Sequence, residues 1–478
     1  MNNIRILECG TTCWRVELAH RVAFLIDSAY FAAAEAAIRK AQHSIVLVGW
    51  TFDARTKLNP KASRAADGSG SIADLLKDVS ATRPELEIRL LIWKAAALIS
   101  APQAFFPQRA PNYFDGSRVR LHLDDTVPFG ASHHQKFLVI DNKVAFCGGG
   151  DFSTDRWDSP GHFDCEPGRR KPSGKAYAPR HDVMMLVDGA AAAALGELAA
   201  ERWRRATGET LDEAEAVGPN DPWPDHVLPN VRDQAIGITR TEPKWLSRIG
   251  TAESEALHLR AIRAARCSIY VENQYFTSAR IGDALCERLS KPDGPEIVLV
   301  LARRSPSYFD HALMDTARGA LILRLAAADL FGRFRAYCPQ TSGGRAVIVH
   351  SKVMIVDDRF VRIGSANLNN RSAGFDTECD LAFEVDAEDE GASTRGAIRS
   401  LRATLLSHFL GSTAEEFQRI MDLSGSAIAA IETLDTSSKR RLVWLKPSNP
   451  SLLGQVITAY CLGDPRGTFD AWRPWRRH

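Results

Sequence analysis

His134-Gln135-Lys136-Phe137-Leu138-Val139-Ile140-Asp141 is the stretch that decides the fold, because it returns as His350-Ser351-Lys352-Val353-Met354-Ile355-Val356-Asp357. In each copy a short apolar run ends at an aspartate. Asn142-Lys143 then leads into Val144-Ala-Phe-Cys147, and Asp358-Arg359 into Phe360-Val-Arg-Ile363, the pattern of a β-hairpin. Residues two apart on a strand share a face, so each histidine projects beside its lysine while Gln135 or Ser351 points away. One such His-x-Lys-x4-Asp pattern arises by chance in roughly a few per cent of chains this long. Two copies at equivalent places in a repeat call for chemistry instead.

The two stretches lie in longer repeats. In the first half, a strand at 22–26 precedes an alanine-rich helix ending near Lys40, a strand at 44–52, a helix at 72–79 and a strand at 86–93. In the second, a strand at 236–240 precedes a helix at 256–265, a strand at 268–276, a helix at 281–289 and a strand at 296–301. Val-, Ile- and Leu-rich strands alternating with helices predict an α/β arrangement with a largely buried sheet in each half. Gly218-Pro-Asn-Asp-Pro-Trp-Pro-Asp225 cannot continue a helix and marks the linker. The expected organisation is a first half over 1–217, a linker over 218–235, a second half over 236–440 and a C-terminal tail over 441–478.

The 478 residues suffice for two domains or one fused pair, and the formal net charge of +2 predicts no strong basic field of the kind a dedicated duplex-DNA binder carries. The nine cysteines are odd in number and scattered, which predicts mostly reduced, buried thiols and neither a disulfide framework nor a zinc knuckle. The N-terminus has no apolar run and cleavage site of a secretory signal, and no run approaches the roughly 20 apolar residues that span a bilayer. The expected location is the cytoplasm or a membrane surface, with export without a cleaved signal left open.

The paired motif resembles that of the phospholipase D superfamily, and its flanks extend the likeness. Gly148-Gly-Gly-Asp151, Asp155-Arg-Trp-Asp158 and His162 are similar to the Gly-Gly-x-Asp, Gly-Arg-Tyr/Trp-Asp and His series of eukaryotic-type phospholipases D. Arg180-His-Asp182 resembles their Trp-His-Asp, and Glu201-Arg-Trp203 the Arg-Trp that closes the first half. Ser268-Ile-Tyr-Val-Glu-Asn-Gln-Tyr-Phe276, Gly364-Ser-Ala-Asn367, Asn370-Arg-Ser372 and Asp376-Thr-Glu378 resemble the second-half signatures. Asp155 and Arg180 stand where Gly and Trp are usual. The resemblance implies two fused α/β sandwich halves, mixed sheets flanked by helices, and one active site on a pseudo-twofold at their interface.

It also implies a phospholipase D reaction that yields phosphatidic acid and a head-group alcohol through a phosphohistidine, with alcohol exchange. A phosphodiester repels hydroxide, so covalent capture by a neutral imidazole followed by release divides the difficulty. By resemblance His134 attacks and His350 protonates the leaving oxygen, although the sequence leaves the two symmetric. Lys136 and Lys352 would steady the phosphate oxygens, a task metal ions perform in other phosphoryl-transfer sites, so no cofactor and no metal are expected. Ser365 and Asn367 are candidate phosphate donors, and Asp151 occupies the place equivalent to Asn367. Glu378 is expected behind His350 and Asp182 behind His134 as orienting carboxylates. Asp141 and Asp357 are assigned to the hairpin turns.

The implied partner is a phospholipid at a membrane surface, with no nucleic acid; the rivals are a cardiolipin-synthase-like phosphatidyltransferase and a nuclease of the same superfamily. Leu98, Ile99, Phe105 and Phe106 are candidate acyl-chain contacts, and the Trp- and Arg-rich end at 472–478 suits an anionic membrane surface. The basic segment 165–179 reads as a lid or a plain connection. Gly148-Gly149-Gly150 lacks the Gly-Lys-Ser/Thr ending of a P-loop.

Overall fold

The computed structural model describes residues 4–61, 70–95, 110–211, 219–305, 308–385, 392–436, 439–446 and 463–467. The first half runs β1 (Arg15–Ile26), α1 (Ser28–Lys40), β2 (Ser44–Gly49), α2 (Ile72–Thr82), β3 (Glu87–Trp93) and β4 (Arg120–Asp124). It continues with the hairpin β5 (Phe137–Ile140) and β6 (Val144–Gly148), then β7 (Arg180–His181), β8 (Val183–Asp188) and α3 (Gly189–Thr207). The second half repeats this as β9 (Val231–Glu242), β10 (Thr251–Ala252), α4 (Glu253–Ala264), β11 (Ser268–Asn273), α5 (Ala279–Leu289) and β12 (Glu296–Leu301). There follow α6 (Tyr308–Ala328), β13 (Phe334–Gln340), β14 (Ile348–Val349), the hairpin β15 (Val353–Val356) and β16 (Phe360–Gly364), and β17 (Glu378–Glu384). The described part closes with α7 (Ala392–Leu410), α8 (Ala414–Ser424), α9 (Ala427–Leu434) and β18 (Arg441–Trp444).

The expected α/β class and mixed pairing are present, but the two sheets are one. Its order is β18-β13-β12-β11-β15-β16-β17-β9-β1-β8-β6-β5-β2-β3-β4, with β10 beside β9. The halves join where β1 and β9 pair antiparallel, from Arg15 opposite Ile238 to Val22 opposite Val231. Hydrogen bonding along that seam satisfies both edges and leaves neither half with an open strand at the centre. The strands near each end are parallel, β2-β3-β4 and β11-β12-β13.

Alternation explains why the strands read as continuous apolar runs. Val46 and Val48 of β2 pack into a core shared with α3 and α7–α9, whereas Ile45 and Leu47 face α1 and α2. A third cluster lies under α4, α5 and α6. With both faces covered, polar residues within these strands carry a desolvation cost unless paired.

Three expectations need adjusting. β9 begins at Val231, inside the stretch taken as linker, and residues 441–444 form the sheet-edge strand β18. The described cysteines are free, as expected, but Cys9, Cys165 and Cys267 are exposed. The apolar segment 98–106 and the end at 472–478 lie outside the described residues.

Candidate active site

Each histidine-bearing segment is fixed by the opposite half. His134 N donates to Thr377 O at 3.0 Å, and Thr377 N to Ser132 O at 3.0 Å. Across the pseudo-twofold, β14 pairs in parallel with β7, and His350 N donates to His181 O at 2.8 Å. Thr377 and His181 immediately precede Glu378 and Asp182, so this backbone pairing delivers each carboxylate to the other half's imidazole.

The pairing of carboxylates with histidines is therefore the reverse of the expectation. His134 Nδ1 lies 2.9 Å from Glu378 Oε2, and His350 Nδ1 lies 2.8 Å from Asp182 Oδ2. Reading each motif within its own half missed this, because the crossing exists only once the halves are apposed. A carboxylate at Nδ1 holds the proton there and turns the lone pair of Nε2 outward, the tautomer a nucleophile needs.

Both histidine side chains are nearly buried, at 14% exposure for His134 and 7% for His350. Burial is the main cause that holds both imidazoles well below the ordinary value, followed by Lys136 and Lys352 at His134 and by Lys352, Arg180 and Arg156 at His350. Both rings are accordingly neutral in the free site. Burial likewise raises Glu378 and Asp182.

The lysines lie at the bottom of the site. Lys136 Nζ donates to His134 O at 2.8 Å and stands 3.7 Å from Asp151 Oδ2; Lys352 Nζ donates to His350 O and, at 3.2 Å, to Gln274 Oε1. Burial lowers both, Lys352 to about 7. An arriving phosphate monoanion returns the favourable charge and draws them back to the ammonium form.

Ser365 requires correction as a phosphate donor. Its hydroxyl donates to Glu378 Oε2 at 2.6 Å and accepts from Cys379 N at 3.0 Å, so its single proton serves the carboxylate. Ser372 does the same at Glu378 Oε1, also at 2.6 Å. Asn367 N donates to Ser372 Oγ at 3.0 Å, its Oδ1 is buried without a hydrogen bond, and the residue lines a small cavity with Ser254, His258 and Ser278. Asp151 Oδ1 instead accepts from Trp50 N at 2.9 Å and Thr51 N at 3.2 Å.

Asp141 and Asp357 occupy the hairpin turns with φ of 53° and 54°. Each also binds three successive amides of the helix-to-strand loop, Gln42, His43 and Ser44 for Asp141 and Arg266, Cys267 and Ser268 for Asp357, at 2.7–2.9 Å.

Sequence reading missed Trp50, whose ring meets His134 edge-on with centroids 6.3 Å apart and stacks on Trp93 at 5.8 Å. The available signal was its place just after β2, equivalent to Gln274 after β11. Gly149, which the sequence shows only as part of a glycine run without a P-loop ending, has no room for a side chain: a Cβ there would lie 2.2 Å from Asp182 Oδ1 and 2.9 Å from His350 O. The segment 165–179 is anchored through buried Arg169, which donates to Asp158 Oδ2 at 3.1 Å, and leaves an exposed turn at 172–176.

Against known proteins, a family model described as Phospholipase D matches residues 37–284, more than half of the chain, and one described as Cardiolipin synthase, PLD-like domain matches 258–392. This chain belongs to the phospholipase D superfamily. Curated relatives within the superfamily include phospholipase D A of Dictyostelium discoideum, 24% identical over 77% of this chain and 33% of its own length. Phospholipase D2 of Bos taurus is 22% identical over 93% of this chain and 59% of its own. The chain thus spans about a third to three fifths of these relatives. A solved phosphatidylserine synthase from Haemophilus influenzae Rd KW20 shares the fold, with TM-score 0.53 and 15% identity over 81% of this chain and 88% of that one. No helix among the described residues is long and apolar enough to cross a membrane.

Proposed function

We propose that this superfamily member is a phospholipase D that cleaves the head-group phosphodiester of glycerophospholipids. The observation that carries the reading is the pair of nearly buried imidazoles, each with Nδ1 within 2.9 Å of the other half's carboxylate, beside two buried lysines. His134 Nε2 attacks phosphorus, the P–N bond forms and the P–O bond to the head group breaks. His350, protonated once the anionic substrate is bound, gives its proton to the departing oxygen. His350 then takes a proton from water, whose oxygen attacks phosphorus, releasing phosphatidic acid and regenerating His134. Lys136 and Lys352 carry the charge that develops on the equatorial oxygens.

A phosphatidyltransferase, in which a lipid hydroxyl replaces water, is the second reading, favoured by the second-half match to the cardiolipin synthase model. To test both, the purified protein is incubated with mixed phospholipids and ethanol, and separately with single-stranded and duplex DNA, and products are identified by mass spectrometry. Phosphatidic acid with phosphatidylethanol is the expected result. Lipid-to-lipid transfer without phosphatidic acid would move the assignment to the transferase, and DNA fragments alone would overturn both.

A further inference from the structure

Four side chains beside the phosphodiester site converge where the halves meet. They are Asp27 between β1 and α1, His162 in the loop after β6, His181 on β7 and His408 near the end of α7. One ligating atom from each lies within 4.8 Å of all the others. The side chains of Asp27, His162 and His181 are fully buried, and that of His408 is 9% exposed. His408 Nε2 is 2.9 Å from His162 Nε2 and 3.1 Å from Asp27 Oδ2. His181 Nδ1 is 3.1 Å from Asp27 Oδ1, and His162 Nε2 is 3.5 Å from Asp27 Oδ2.

The outward nitrogens of two of the rings are already taken by carboxylates. His162 Nδ1 is 2.9 Å from Asp158 Oδ2, which Arg169 also holds, and His181 Nε2 is 3.0 Å from Glu272 Oε2. A carboxylate at one ring nitrogen keeps the proton there and leaves a lone pair on the other, the outer-shell arrangement found behind metal-bound histidines. An arriving cation that displaces the shared protons would meet His162 Nε2 and His181 Nδ1 at the same interior point as the Asp27 carboxylate. Asp27 Oδ2 and His181 Nδ1 are buried and make no well-aligned hydrogen bond, meeting only other members of the cluster at 3.1–3.5 Å. Converging, desolvated lone pairs are costly unless a cation lies between them.

We propose that Asp27, His162, His181 and His408 form a binding site for one divalent transition metal of the zinc class. Bonds of about 2.0–2.1 Å in a tetrahedron give edges of about 3.3 Å, near the 2.9–3.5 Å separations among Asp27, His162 and His408, with all four ligand atoms within 4.8 Å. Three imidazoles and one carboxylate disfavour calcium and magnesium, which take oxygen ligands. With all four positions filled by protein the site is closed, hence structural. It joins three ligands from the first half to one from the second. Asp27 Oδ1 also accepts from Asp182 N at 3.0 Å, and Asp182 holds His350, so the ion positions an imidazole without touching the phosphate. Its ligands lie far apart in the chain and lack any zinc-type spacing.

The test counts metal and needs no substrate. The full chain is grown with zinc, freed of loosely held ions on a chelating column, and analysed by inductively coupled plasma mass spectrometry. About one zinc per folded chain is expected, falling at least tenfold in His162→Ala and His408→Ala. Cobalt-loaded protein should show the visible d–d bands of a tetrahedral site, and His408→Cys should add a thiolate-to-cobalt charge-transfer band absent from the parent. Folded wild-type protein, verified by circular dichroism, that holds no stoichiometric metal and gives no such bands would overturn the proposal and leave the cluster held by shared protons. If the alanine variants fail to fold, the wild-type count and the His408→Cys spectrum still decide.

Discussion

The two halves bring the same motif to the site in different surroundings. Glu378, reaching His134, is held by the hydroxyls of Ser365 and Ser372; Asp182, one methylene shorter, reaches His350 while accepting from Val183 N at 2.9 Å. The position of Ser365 is Gly149 in the first half, and the missing Cβ is what lets Asp182 close in. Trp50 lies beside His134 where its counterpart Gln274 accepts from Lys352. Arg156 and Arg180 add positive charge at His350. Duplication has kept the crossed geometry and altered the surroundings of the two histidines, and the proposed roles, attack by His134 and protonation of the leaving group by His350, can be separated by substitution.

The largest expected effect tests that division of roles. His134→Ala should lose about 10⁴-fold in kcat on every substrate, whereas His350→Ala should lose as much on a natural head group but recover about 100-fold with a p-nitrophenol leaving group, which needs no proton. Recovery in His134→Ala instead would reverse the comparison. Next, Gly149→Ser should cost about tenfold or more in kcat/KM by displacing Asp182, and Ser365→Gly about tenfold by removing a hydrogen bond from Glu378. Equal tolerance of both exchanges would show that the carboxylate lengths are unconnected with these positions.

The pH dependence sharpens the comparison further. The attacking imidazole must be neutral, so kcat/KM should rise with pH through the His134 transition, placed below the ordinary imidazole value by burial and the two lysines. It should fall again as the proton-donating His350, itself held below the ordinary imidazole value by burial and neighbouring cations, and Lys352, lowered to about 7 by burial, lose their protons. A profile flat between about pH 5 and 9, with chemistry limiting, would contradict this. The smallest effect on turnover is expected at the turns. Asp141→Ala should destabilise the fold by about 1–3 kcal/mol, chiefly through the buried amide of Ser44 left unpaired, and Asp357→Ala by less because its amide partners are more exposed, with kcat per folded molecule little changed. Thermal melts and active-site titration would measure both.

Much of this was legible in the chain. The strand at 296–301 and the first two thirds of the one expected at 268–276 could be read from apolar runs, and the paired motif marked the site, because both depend on local periodicity. The exchange of Asp182 and Glu378 was not legible, since it depends on which segment β7 and β14 bring together across the interface. Ser365 was misassigned for the same reason: its position in the motif is visible, but the direction of its one proton is set by a carboxylate on the neighbouring strand. Trp50, Gly149 and the Asp27 cluster became meaningful only through contacts far apart in sequence.

The most direct test is to quench a single turnover of radiolabelled phospholipid within milliseconds, digest under conditions that preserve phosphohistidine, and map the label. The label is predicted on the peptide carrying His134. Label on His350, or turnover with no covalent adduct on either histidine, would contradict it.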